Sequence, residues 1–263
     1  MEEYEIKNYD KYLARMKRSI DDKIFFTDYL DDLDTLVDFG CANGELLSRV
    51  HELAPHLKLV GVDKNPVIVS KDKKLCYTQI ISDLPEYTPE KGERVALVLS
   101  SVLHEVYHYN KKDNPQYLIN FIKCLNESKY DYIFIRDMFY KEKKYWINRY
   151  CDEVSVMRKA ISEYGDKKQI EDYKKIYGDV WEKKDLTHFL LKYTYKDNWD
   201  REVRENYFSV DFDEFIESLD HEFKCIHYEH SINRFIANRI KKDFKIDFYQ
   251  PTHIKVVLKR YDL

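Results

Sequence analysis

Nowhere in the chain does an apolar run approach the ~18–20 residues needed to span a bilayer, so no stretch reads as a transmembrane helix. The first residues, Met1-Glu2-Glu3-Tyr4-Glu5, have neither the basic region nor the apolar core of a secretory leader. Cysteine is sparse: the five residues at 41, 76, 124, 151 and 225 are scattered, odd in number and form no C-x-x-C. A reduced, cytoplasmic protein is the expectation. Positive charge is not in excess, with 44 Lys+Arg against 48 Asp+Glu and a net charge of −4, which argues against a non-specific nucleic-acid binder. Internal repeats and low-complexity segments are missing as well.

What is present suits a folded enzyme-sized domain. A chain of 263 residues makes one large domain, or one domain with a substantial insertion. Hydrophobic residues at 44% supply a core, and charged residues at 35% supply a well-solvated surface. The two halves differ in charge. Residues 141–263 carry 25 basic and 24 acidic side chains, which leaves 19 against 24 in 1–140.

The most informative stretch is Leu36 to Val50. Thr35 to Phe39 is a short apolar run with one acid, Asp38, and reads as a buried strand. Gly40-Cys41-Ala42-Asn43-Gly44 supplies a tight turn of small residues that a ligand approaches closely. From Glu45, Leu46, Leu47 and Val50 fall at helical spacing. Strand, glycine turn, helix is the opening unit of a nucleotide-binding α/β fold, with backbone N–H groups expected to face outward at the helix N-terminus. Leu57 to Asp63 reads as a second strand that ends in an acid spaced to accept hydrogen bonds from a ribose. The G-x-G-x-x-G spacing of a dinucleotide site is not met, since Gly40 and Gly44 are four apart with no glycine between them.

Further strands are expected at 75–79, 95–100 and 130–135, with Arg136-Asp137 following the last, and a helix over 115–125. From 141 to 222 the pattern turns helical, over 142–164, 168–177, 185–192 and 211–219. This region is far longer than a connection requires and holds Trp146, Trp181 and Trp199. Strands at 223–229 and 253–258 flank a basic helix over 233–245, and an amphipathic helix is expected over 4–20. The expected organisation is therefore an N-terminal helical segment (1–34), a cofactor-binding half (35–140), a helical insertion or lid (141–222) and closing strands (223–263).

Asp38-Phe39-Gly40-Cys41-Ala42-Asn43-Gly44 followed by Val60-Gly61-Val62-Asp63 resembles the first two motifs of class I S-adenosylmethionine (SAM)-dependent methyltransferases. Ala42 stands where that family often has a glycine. The resemblance covers 35–137 through motifs and 223–260 by pattern alone. It implies an α/β fold: a doubly wound, seven-stranded, mostly parallel sheet, with the helical insertion between strands five and six. It implies SAM as methyl donor, held by Asp38, Gly40, Cys41, Ala42 and Gly44 after strand one, and by Asp63 and Lys64 after strand two. Ser82, Asp83 and Leu84 after strand three and Ser100 and Ser101 after strand four complete that set, with Asp83 at the adenine amino group. Ser-Val-Leu-His-Glu at 101–105 is similar to the family's loop between donor and acceptor, which makes His104 and Glu105 candidates for the base.

His104-Glu105-Val106-Tyr107-His108 also fits the H-E-x-x-H zinc-protease pattern, but it follows a buried strand of a cofactor fold, and no metal is expected. Asp137 and His253 are further candidates near the acceptor. The expected acceptor is an O or N atom of a small molecule. An RNA acceptor, stacked on aromatic and basic residues such as Trp199, Arg201 and Arg204, and a non-catalytic SAM-binding protein are the alternatives. No membrane association is expected, and the oligomeric state is left open.

Overall fold

The computed structural model describes residues 20–64, 76–110, 113–142, 147–179 and 181–261. The amphipathic helix expected over 4–20 lies outside them except at its last residue. In chain order the elements are α1 (Ile20–Lys23), β1 (Thr35–Phe39), α2 (Glu45–Leu53), β2 (Lys58–Asp63), β3 (Thr78–Ile81) and β4 (Val95–Ser100). They continue with α3 (Leu103–Asn110), α4 (Pro115–Glu127), β5 (Tyr132–Met138), α5 (Ile147–Tyr164), α6 (Lys167–Tyr177), α7 (Lys183–Tyr193) and α8 (Trp199–Glu202). Last come α9 (Phe212–Glu217), β6 (Phe223–Ser231), α10 (Arg234–Phe244) and β7 (His253–Arg260).

The seven strands form one mixed, mostly parallel sheet in the order β3-β2-β1-β4-β5-β7-β6. The pairs β1/β2, β1/β4, β2/β3 and β4/β5 are all parallel. β1, β4 and β5 are apolar runs because helices cover both faces, and their residues are buried almost throughout. From β1 the chain builds outward to β2 and β3, then returns to add β4 and β5 on the other side. That reversal splays the loops after β1 and β4 apart and opens a crevice at their carboxyl ends, the place where open α/β sheets bind ligands.

The chain groups into two compact units. One contains the sheet: 20–138, 209–229 and 254–261 among the described residues. The other is helical, 139–208 with 230–253. Residues 209–222, within the stretch expected to form the insertion, group with the sheet. There Tyr107 of α3 meets Phe215 of α9 edge to face, and Asn126 of α4 donates to the Ser218 carbonyl at 3.0 Å. The helical unit packs α5, α7 and α10 together, with Tyr193 edge-on to Phe244 at 4.6 Å.

The strand bounds shift by a few residues. β3 starts at Thr78, the first described residue to pair with β2, after Tyr77 has turned its ring against the glycine turn; residue 75 of the expected strand lies outside the described residues. β5 runs on through Arg136 and Asp137 to Met138, because Arg136 pairs with Asp22 and Asp137 with His104 instead of ending the strand.

Candidate functional site

The turn after β1 is built by left-handed backbone. Gly40 and Gly44 have φ of 76° and 74°, and Ala42 takes 46°, a conformation that costs a residue with a Cβ about 1 kcal/mol or more. Only glycine fits at 40, where a Cβ would lie 2.8 Å from Val102 Cγ2. The Tyr77 ring closes the other side. It packs on Gly44 and Gly61, so that a Cβ on Gly61 would stand 2.8 Å from Tyr77 Cε2 and 2.7 Å from Cys41 Sγ.

Four main-chain donors of the turn are bonded within the protein. Gly40 and Cys41 N–H donate to the Val62 carbonyl at 2.8 and 3.2 Å, and Gly44 N–H donates to the Cys41 carbonyl at 2.8 Å. Ala42 N–H donates to Asp63 Oδ2 at 3.0 Å. These four N–H groups are thus engaged inside the protein and are not offered to a ligand.

Beyond the turn lies a small open cleft, lined by Ile20, Lys23, Asp38, Gly40, Cys41 and Ser100 among others. Asp38 is buried, and no described side chain donates a hydrogen bond to its carboxylate. Burial pushes its pKa up to about 7 against the pull of Lys23, and Asp63 adds to the rise. Lys23, only 4% exposed, is pushed down to about 8 by burial and by Arg136, while Asp38 and Asp137 oppose the shift. The Ser100 hydroxyl oxygen is buried and has no hydrogen-bond partner among the described residues. The cleft therefore presents a carboxylate, an ammonium and an unpaired hydroxyl to one small volume.

α1 is held in place by charge. Asp22 accepts from Arg136 Nη2 and Nε at 2.5 and 3.1 Å and pairs with Lys255 at 3.0 Å. Burial opposes ionisation of Asp22, but Arg136 and Lys255 overcome it and bring its pKa down to about 2. Arg136 Nη1 also donates to Ser101 Oγ at 2.9 Å, and Ser101 N–H donates to the Arg136 carbonyl at 2.7 Å. Those bonds hold Ser101 at φ 58°. Of the three described non-glycine residues with positive φ, Ala42 and Ser101 sit on the two loops that flank the switch in strand order. Strain concentrated there is the pattern of a functional site.

The remaining expected residues are distributed as follows. Ser82 N–H donates to the Asp63 carbonyl at 3.2 Å, which ties the loop after β3 to the end of β2, and Ser82 Oγ accepts from Leu84 N–H at 3.1 Å. Asp83 and Lys64 are exposed, and the Asp83 carbonyl accepts from the Tyr117 hydroxyl. His104 and Glu105 lie in the first turn of α3, not in an extended loop. His104 is buried against Asp137, with Nδ1 2.6 Å from Oδ1. Asp137 is thus a partner of His104 inside β5, not a lone acid at a strand end. His253 lies at the start of β7, its Nδ1 3.0 Å from Thr252 Oγ1.

One expectation for the helical unit changes. Trp199 is 6% exposed, edge-on to Phe189, with Nε1 donating to Asp172 at 3.3 Å, and Trp181 is likewise buried. These are core residues of the unit, not stacking platforms; Trp146 lies outside the described residues. Lys23 escaped the sequence reading altogether. Its sequence context, Ile20-Asp21-Asp22-Lys23-Ile24-Phe25-Phe26, sets it beside two acids just before an apolar patch.

The sequence matches no protein-family model and none of the curated proteins. Among solved structures it is similar to the plantazolicin methyltransferase BamL, in complex with a triazolic desmethylPZN analog and SAH. Identity is 14% and the TM-score 0.48, over 96% of this chain and 88% of that one. It is similar to RosA, the N,N-8-amino-8-demethyl-D-riboflavin dimethyltransferase from Streptomyces davawensis, at 13% identity and TM-score 0.48, over 95% of this chain and 56% of that one. A SAM-dependent methyltransferase from Archaeoglobus fulgidus matches at 16% identity and TM-score 0.41, over 96% and 94% of the two chains.

Proposed function

We propose that this chain is a SAM-dependent methyltransferase that methylates an O or N atom of a small molecule. The observation that carries the reading is the cleft at the strand switch. Four N–H groups of its glycine turn are bonded internally, and its buried ionisable groups are a carboxyl and an ammonium. Such a site suits a ligand that carries an amino-acid head group. SAM has one, and the residues present fit it. Asp38 would face the ammonium and sulfonium end and Lys23 the carboxylate. Gly40 and Gly44 leave room for close approach, and the unpaired Ser100 hydroxyl offers a further contact. Asp63, at the end of β2, would accept from the ribose, and the 82–84 loop would meet the adenine.

When bound, SAM supplies an activated methyl on a good leaving group, so the protein's task is positioning and removal of the acceptor's proton. Burial of Trp181 and Trp199 removes two of the platforms on which an RNA acceptor would stack, and this favours the small-molecule reading. The test is incubation with methyl-labelled SAM and cell extract split into small-molecule, RNA and protein fractions. Label should enter the small-molecule fraction. Label in the RNA fraction would replace that acceptor. Label in no fraction, with SAH still bound, would make the chain a binding protein.

A further inference from the structure

We propose that Arg136 is a positioning residue that sets the two walls of the donor cleft, Lys23 on α1 and Ser100 at the end of β4, for the amino-acid head group of SAM. The role rests on the donor reading above. Arg136 is in register with Ser100, and Phe134 with Val98, which is itself in register with Asp38 of β1. Registered neighbours and alternate residues share a face of a sheet. Asp38, Ser100, Phe134 and Arg136 therefore lie on one face. The segment from Ile20 to Phe26 runs over it: the Phe26 ring stacks on Phe134 with centroids 4.5 Å apart, and Ile20 and Lys23 line the cleft.

Arg136 is buried, and its fork divides between the two walls. Nε and Nη2 donate to Oδ2 of Asp22, the neighbour of Lys23, at 3.1 and 2.5 Å. Nη1 donates to Oγ of Ser101, the neighbour of Ser100, at 2.9 Å. The Arg136 carbonyl accepts from Ser101 N–H at 2.7 Å, so one residue holds the left-handed Ser101 by both side chain and main chain. Lys255 engages the other oxygen of Asp22 at 3.0 Å. Each wall residue is thus next in the chain to a residue that Arg136 grips.

Anchorage of α1 alone would not require this arrangement. The stack of Phe26 on Phe134 already fastens the segment, and a buried ion pair stabilises no better than apolar side chains of the same volume. What a planar guanidinium adds is direction, since its donors reach two partners at fixed angles. The guanidinium also repels the Lys23 ammonium, so a ligand carboxylate entering the cleft relieves that repulsion.

The test is calorimetric titration of SAH and of methylthioadenosine, which shares the nucleoside and sulfur of SAH and lacks its amino-acid head group. Arg136→Lys keeps the charge but cannot bridge Asp22 and Ser101. It should weaken SAH by about tenfold or more, the scale of one lost charge-assisted hydrogen bond. Methylthioadenosine affinity should stay within about threefold, because the nucleoside contacts lie after β2 and β3. Asp22→Ala, at a partly exposed side chain, should show the same selective loss and decides the matter where Arg136→Lys does not fold. A general loosening of the fold would weaken both ligands alike. Equal losses for the two ligands, or unchanged SAH affinity in the variants, overturns the positioning role and leaves the donor reading standing on wild-type binding. Wild-type protein that binds neither ligand overturns the donor reading, and this role with it.

Discussion

Two buried lysines, one in each unit, show how differently the same costly group is used. Lys192 of α7 is fully buried in the helical unit, and burial pushes its pKa down to about 7 against the pull of Glu205 and Glu202. Its ammonium donates to the main-chain carbonyls of Glu202 and Glu205 and lies 4.0 Å from the centre of the Tyr207 ring. Tyr207 in turn donates to the Glu202 carboxyl, so the charge is surrounded by fixed acceptors. Lys23 of the sheet unit is almost as buried, but it lines a cleft and faces Asp38. A buried charge enclosed by partners is part of the structure. One that fronts an open volume beside an opposite charge is part of a site.

The largest expected effect separates the two units directly. Lys192→Met leaves the carbonyls and carboxylates around it without their cation, and breaking a buried charge network of this kind costs roughly 3–5 kcal/mol. Urea unfolding should show a loss of that order, while SAH affinity of the molecules that remain folded stays near wild type. A Lys192→Met protein as stable as wild type would erase the distinction.

Next in size is the pH dependence of Asp38. Its folded pKa lies above its ordinary value of 3.8, at about 7. The folded form therefore binds a proton that the unfolded chain has released over that window. The stabilisation is fully present below about pH 4 and is lost as pH rises through about 7, a change of a few kcal/mol. Urea midpoints measured between pH 4 and 8 should fall along this slope in wild type, and Asp38→Asn should remove that component. A ligand ammonium placed beside Asp38 ionises it, so SAH binding near pH 6 should release a proton, seen as a buffer-dependent heat. Buffer-independent heat would show that the ligand does not meet Asp38.

The smallest effect concerns the turn itself. Ala42→Gly relieves a left-handed alanine and should raise stability by about 0.5–1 kcal/mol without weakening SAH binding. Destabilisation in thermal melts would mean that the Ala42 methyl is needed for packing.

What the sequence made legible follows from how local each feature is. β1 and β4 occur where their apolar runs end, because sheet burial on both faces writes itself into consecutive residues. The last turns of β5 did not, since Arg136 and Asp137 look like surface charges until Asp22 and His104, over 100 and 33 residues away, are seen beside them. The glycine turn was readable as a turn. The destination of its N–H groups was not, because the acceptors, the Val62 carbonyl and the Asp63 carboxylate, lie about twenty residues downstream. Gly61 had no evident purpose in sequence; the Tyr77 ring supplies it. Lys23 was hidden for the same reason, as an isolated lysine acquires meaning only when Asp38 and Ser100 share its cleft.

The most direct test of the account is calorimetric titration of SAH into wild-type protein and into Lys23→Met. The account expects one site in wild type. In the variant it expects affinity at least about tenfold weaker, the scale of a lost charge-assisted hydrogen bond. Wild-type protein that binds no SAH, or a Lys23→Met protein that binds it unchanged, would contradict the claim that the cleft between β1 and β4 holds the methyl donor.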